Sequence, residues 1–479
     1  MSPAPFWVAG APVGNRTVSE VVNPYDNSVV GEYYEPEPDD SEQAVAAATA
    51  VLPEAIATTA SQRAAALMQV SQRIQERAEE IARLITGENG KPLMWARMEV
   101  GRAVSTFRWA AEEARRWSGD VQRLDTDPNS AGRMALVRRF PIGPVLGIAP
   151  FNFPLNLVAH KVAPAIAVGA PIIIKPAPAT PLTALLLGEL LAESDLPPGM
   201  WSVLPLTNRD TAALAADPRL PVISFTGSDT VGYEIQAAHP RKHIVLELGG
   251  NAAAAVLPDW SSDQDLNWAA SRISIFGNYQ AGQSCISVQR IFVDESVYER
   301  FTPLLIRKLE GLVTGSPWND DVVVGPVISE AAAERISTWV DVAAASGANV
   351  LTGGTRQGTT FSPTLLSDVP RDAPLSCQEV FGPVMTISPT RGVADALAAI
   401  NDSRFGLQAG IFTHNVQTAF RAHRELSVGG VIIGDVPSFR ADQMPYGGVK
   451  DSGHGREGLR AAMVDLTQDR ALVLTDLDL

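Results

Sequence analysis

Cysteine is nearly absent from this chain: Cys285 and Cys377 are the only two among 479 residues, and they form no CxxC pair. That scarcity excludes a disulfide framework and a thiolate zinc site, and no metal is expected. Long apolar runs are missing as well. The longest nearly apolar stretch, 162–174, is interrupted by Pro164, Gly169 and Pro171 and is too short to cross a bilayer. Basic residues are in deficit, with 38 Lys and Arg against 53 Asp and Glu and a net charge of −15, so nucleic acid is not an expected partner. The opening Met1-Ser2-Pro3-Ala4-Pro5 has neither a basic nor an apolar leader segment, which makes a cytoplasmic location the expectation.

The chain is too long for a single core, and about 150 residues per domain suggests two or three units. Residues 1–40 are rich in Pro and Gly, with β-prone pieces at 18–22 and 29–34. Helical spacing begins at Ser41 and recurs through Leu67, Val70, Ile74, Ala78, Ile81 and Leu84, with a further helix over 93–117. A turn at Asp127-Pro128-Asn129 marks a hairpin over 120–140. From Pro141 short apolar strands alternate with helices, which predicts βαβ units and a parallel sheet covered on both faces. After Leu248 the alternation resumes as a second α/β unit.

In a parallel sheet, ligands bind beyond the carboxyl ends of the strands. Asn152, Lys175, Gly227 and Glu247 each fall at or just after such an end. Gly227-Ser228-Asp229-Thr230-Val231-Gly232 follows a strand and opens a helix, where free N–H groups attract an anion. It is no GxGxxG, so a dinucleotide site here departs from the usual Rossmann pattern. Lys175 can donate to a ribose or a phosphate. Glu247 sits inside an apolar strand, which is costly unless it is paired or raised toward the range of a general base. Asn152, in Pro150-Phe151-Asn152-Phe153-Pro154, is an amide able to donate to an oxyanion. Cys285 stands between the glycine-broken Gly277–Gly282 and a strand-like run, an open backbone on one side and a rigid element on the other. Each signal is weak alone. A thiol hydrolase or acyltransferase using one of the six histidines, and a silent relative, stay open at this point.

Taken in order, Pro150-Phe151-Asn152-Phe153-Pro154, Lys175-Pro176, Phe225-Thr226-Gly227-Ser228, Glu247-Leu248-Gly249-Gly250, Gly282-Gln283-Ser284-Cys285, Glu379-Val380-Phe381-Gly382-Pro383 and Pro445-Tyr446-Gly447-Gly448 resemble the aldehyde dehydrogenase superfamily over nearly the whole chain. The stretches 283–290 and 445–450 look most like the lactaldehyde and glycolaldehyde dehydrogenase branch. The resemblance implies an α/β fold with a Rossmann-like parallel-sheet NAD(P)-binding domain (1–119 and 141–247), a catalytic domain (248–459) and a β oligomerisation flap (120–140 and 460–479). It implies a homodimer or homotetramer, and oxidation of a small polar aldehyde to its acid with NAD or NADP.

By the same resemblance Cys285 is the nucleophile, Asn152 the oxyanion donor and Glu247 the base for hydrolysis. Lys175, Gly227, Ser228, Gly250, Glu379 and Phe381 would hold the cofactor. Phe153, His160, Tyr279 and Arg440 would line the substrate tunnel, with Phe107 and Trp109 near its mouth. Arg440 stands where the family usually has an aromatic; it either faces a polar or anionic aldehyde, or turns to solvent or pairs with Asp442. Two departures matter. Pro178 occupies the place of the glutamate that favours NAD, which makes NADP plausible, and the neighbour of Cys285 is the small polar Ser284.

Overall fold

The computed structural model describes residues 2–476. Four continuous apolar strands, Val145–Ile148, Ile172–Lys175, Val222–Thr226 and His243–Glu247, lie parallel in one sheet. Their runs of Val, Ile and Leu suit burial on both faces. Trp201–Val203 adds a parallel strand, and Phe6–Val8 and Ala11–Val13 extend the edge antiparallel, giving seven of the eight strands. Helix Asn156–Val168, buried along its whole length, packs into the same core as helices Ala60–Glu76 and Leu93–Arg116. Register pairs Ile148 with Lys175 and Thr226 with Glu247, so the residues singled out at strand ends share one edge of the sheet.

The last strand of this sheet comes from far along the chain. Gly453–His454 pairs antiparallel with Leu246 and Glu247. Gly453 has φ +106°, and a Cβ there would lie 2.0 Å from the Leu246 carbonyl oxygen, so only glycine fits. Helix Leu459–Asp465 follows and buries Leu459 and Met463 in the first core. The segment after Gly453, expected within the catalytic unit up to residue 459, therefore belongs physically to the first sheet. The return of the chain also carries Tyr446 and Glu457 to Glu247.

The second sheet has seven strands, with Ala253–Val256 parallel to both Arg290–Asp294 and Gln408–Phe412. Ala254 and Val256 face the core under helix Asp263–Asn278, while Ala253 and Ala255 face that of helix Gly392–Asn401. A third sheet joins Asp120–Arg123, Met134–Pro141 and Thr467–Leu474 antiparallel, which unites both parts of the expected flap; its residues 477–479 lie outside the described residues. Among the described residues no single helix is long and apolar enough to cross a membrane.

Candidate active site

A cavity of about 940 Å³ opens at the carboxyl ends of the first sheet and reaches across to the second unit. Asn152, Lys175, Gly227, Ser228, Glu247, Cys285, Glu379, Phe381 and Arg440 all line it, although they are scattered over nearly 300 positions.

Cys285 is delivered by an irregular backbone. Helix Asp263–Asn278 ends, and Gln280, Ala281 and Gly282 take left-handed φ values of 53°, 54° and 70°. Such conformations cost on the order of 1 kcal/mol or more at non-glycine residues and persist only where surroundings hold them. Here the Gln280 side-chain amide donates to the Asn152 carbonyl, and the Asn152 Nδ2 donates to the Gln283 carbonyl at 3.0 Å. The Asn152 amide is thus latched to the loop that carries Cys285, with one of its N–H groups still available. The sulfur lies 2.9 Å from the Tyr446 hydroxyl. Burial pushes the thiol up to about 12; the Tyr446 hydrogen bond and the Arg440 charge pull against that rise.

Glu247 is 3 % exposed, and among the described residues neither of its carboxyl oxygens has a hydrogen-bond partner. Burial, reinforced by the charge of Glu457, raises its pKa well above the usual carboxylate range; Arg440, Lys161 and Arg456 oppose the shift. Glu457 behaves in the opposite way. Although buried, it is held at about 2 by Arg440 and Lys161. Arg440 Nη2 donates to it at 2.9 Å, and Lys161 Nζ stands 3.7 Å away. Two adjacent carboxyls with values driven apart are the arrangement in which one serves as a base while its neighbour stays ionised. Arg440 pairs with Glu457 and not with Asp442, and it stacks 3.9 Å above the Tyr446 ring. Asp442 is engaged by Arg102 at 2.9 Å and by His160 at 3.1 Å.

At the other end Lys175 is 3.4 Å from the Asn208 side-chain oxygen, and burial alone brings its ammonium down to about 8. No acid counters that shift. Ser228 caps helix Asp229–Ala238 by accepting from the Val231 N–H. A Cβ on Gly227 would strike the Phe225 ring at 2.6 Å, which explains the glycine. Asp229 in the first helical turn is neutralised by Arg404 at 2.5 Å. Glu379, raised to about 7 by burial, accepts the Gly250 N–H at 2.9 Å; Gly250 itself does not line the cavity. Phe381 meets Phe151 edge to face with ring centres 5.7 Å apart.

Several expected tunnel residues lie elsewhere. Phe153 does not line the cavity; its ring sits under Lys91 Nζ at 4.2 Å. His160 is buried behind Asp442 on an all-buried helix, where burial lowers its pKa. Tyr279 spends its hydroxyl on Ser284 Oγ at 2.5 Å, which gives that small polar neighbour of Cys285 a structural partner. Phe107 is sealed in the first core, and Trp109 only packs against it. Sequence reasoning gave no role to Lys161, Glu457 or Tyr446. The one available signal was Lys161 inside the apolar run 155–167; its partner lies 296 positions away, 161 to 457.

The aldehyde dehydrogenase family profile matches residues 7–472. The chain belongs to the aldehyde dehydrogenase family. It is 40% identical over 458 residues to a 3-sulfolactaldehyde dehydrogenase of Priestia megaterium, covering 95% of this chain and 94% of that protein. Relatives named lactaldehyde dehydrogenase match as well. Among solved family structures, aldehyde dehydrogenase 21 of Physcomitrella patens, in complex with the reaction product succinate, superposes with a TM-score of 0.97 at 41% identity and full coverage of both chains. An NADP-dependent glyceraldehyde-3-phosphate dehydrogenase of Bacillus halodurans, complexed with NADP, superposes at 0.93 with 32% identity, covering 99% of this chain and 100% of that one.

Proposed function

We propose that this aldehyde dehydrogenase oxidises a small anionic aldehyde to its carboxylic acid, with Cys285 as nucleophile and Glu247 as the base for hydrolysis. The observation that carries the reading is the pair itself: a thiol and an unpartnered buried carboxyl on one cavity wall, with the Asn152 amide latched between strand end and thiol loop. The Cys285 thiolate adds to the aldehyde carbonyl, and the resulting oxyanion is met by the Asn152 amide. A nicotinamide held in the cavity would supply the hydride acceptor for oxidising the Cys285 adduct to a thioester. Glu247 then takes a proton from water, which attacks the thioester and frees the acid; a positioned base of this kind is worth roughly 10²–10⁴-fold in rate.

The cavity fits a dinucleotide. The start of helix Asp229–Ala238 offers N–H groups to a pyrophosphate, Gly227 lets the phosphate approach the backbone while its own N–H is held by the Glu247 carbonyl, Glu379 and Lys175 would meet ribose hydroxyls, and Phe381 would pack at the nicotinamide ribose. No acid shifts Lys175 and Pro178 carries no carboxylate, so a 2′-phosphate beside Lys175 meets its attraction; NADP is accepted at least as well as NAD.

An anionic substrate is favoured by Arg440, whose buried Nε keeps an unpartnered donor at the cavity wall. Both the sulfolactaldehyde of the Priestia relative and the succinate of the Physcomitrella complex carry an anionic group beyond the reacting carbon. The chain also assembles with copies of itself through the three-stranded sheet, which exposes Val121, Leu472 and Val473. Light scattering should return a dimer or tetramer mass; a monomer would contradict it.

The test is absorbance of reduced nicotinamide with NAD and NADP over sulfonated, carboxylated and neutral aldehydes, without coenzyme A. Turnover should be highest with the anionic aldehydes and vanish in Cys285→Ala. An absolute need for coenzyme A would defeat hydrolysis by Glu247.

A further inference from the structure

We propose that Tyr446 is the hydrogen-bond donor on which the Cys285 thiolate depends, and so a further catalytic residue of this site. The proposal rests on reading Cys285 as the nucleophile. The phenol oxygen is 2.9 Å from the sulfur and is the one hydrogen-bond partner the sulfur has among the described residues. A thiol could donate across that contact, but a thiolate has no proton to give. In the ionised state the hydrogen bond therefore runs from the phenol to the sulfur.

The phenol is built to stay protonated and to stay in place. Burial, the charge of Cys285 and the charge of Glu247 all push its pKa well above the usual value. Its backbone N–H donates to the Glu457 carbonyl at 2.9 Å and its carbonyl accepts from the Glu457 N–H at 2.7 Å. One face of the ring lies under the Arg440 guanidinium, and the ring packs with Ile286 and Leu407. The other charged groups that act on Cys285 are Glu379, Glu247 and Arg440. The two acids disfavour the thiolate, and the Arg440 guanidinium is already bonded to Glu457. Among these groups Tyr446 is the one within hydrogen-bond distance of the sulfur.

Tyr446→Phe keeps the ring and removes only that donor. In a Cys377→Ala background, the rate of alkylation by iodoacetamide is followed against pH. The rate–pH curve of Tyr446→Phe should shift upward by about one unit or more, read as alkylation about tenfold slower at each pH below the midpoint. Binding of reduced nicotinamide cofactor should stay unchanged. Superimposable curves would overturn the proposal. If the Phe variant fails to fold, 3-fluorotyrosine placed at position 446, a more acidic phenol and a stronger donor, should shift the curve downward; no shift there would overturn it equally. The nucleophile assignment fails separately, through turnover surviving in Cys285→Ala.

Discussion

Two sets of buried carboxyls treat the same physical problem in opposite ways. Below the cavity, Glu99 Oε1 accepts the Leu155 and Asn156 N–H groups at 2.9 and 3.1 Å, and its other oxygen binds the buried Lys91. Glu88 accepts the Leu182 and Thr183 N–H groups at 2.7 and 3.1 Å. Helices Asn156–Val168 and Leu182–Ala192 have no side-chain cap of their own, so these distant carboxyls satisfy their first turns. At the cavity wall Glu247 has no such partner. Burial raises Glu88 as well, to about 8, but its hydrogen bonds oppose that rise, whereas no hydrogen bond opposes it at Glu247. The first set holds the fold together; Glu247, in the proposed mechanism, costs stability to keep a base.

Removing either kind of acid should separate these roles. Glu247→Gln should lower kcat by roughly 10²–10⁴-fold, with folded stability equal to or above wild type. The pH dependence follows from sign. The folded Glu247 keeps a proton that the unfolded chain releases near its usual 4.5. Wild-type stability therefore declines as pH rises above about 4.5, and Glu247→Gln loses that part of the decline in denaturant titrations. Glu99→Ala should do the reverse, destabilising the fold by about 3–5 kcal/mol because Lys91 and two N–H groups lose their partner. Equal loss of stability in both variants would break the comparison.

Smaller effects belong to the open end of the cavity. Pro178→Glu should raise the KM for NADP about tenfold or more while changing that for NAD less, since a carboxylate then faces the 2′-phosphate. Because Lys175 titrates near 8, NADP affinity should weaken as pH rises through that value, and NAD affinity less; equilibrium binding by fluorescence checks it.

Much of this was legible from residues alone. Ile172–Lys175 reads as a buried strand because three consecutive β-branched residues between a glycine-containing turn and Pro176 favour a short pleated element. Glu247 is a carboxylate closing an apolar strand, but Cys285 and Asn152 lie in irregular loops and gained weight only from the order of the motifs along the chain. Ala253–Val256 did not stand out: alanine is a poor strand former, and its place between two parallel neighbours is set by helices on both faces. The Lys161–Glu457–Arg440 cluster was invisible because it exists only after Gly453 folds back onto Leu246. His160 and Phe153 followed only from the family resemblance; in the fold His160 sits on a fully buried helix against Asp442, and the Phe153 ring lies under Lys91, away from the cavity.

Rapid mixing of Glu247→Gln with NADP and an anionic aldehyde addresses the division of labour at the cavity wall. If Cys285 forms the thioester and Glu247 only opens it, about one equivalent of reduced nicotinamide should appear per active site, followed by near-arrest, with the acyl group recoverable on Cys285 by mass spectrometry. Continued turnover at the wild-type rate, with no acyl group trapped, would contradict the account.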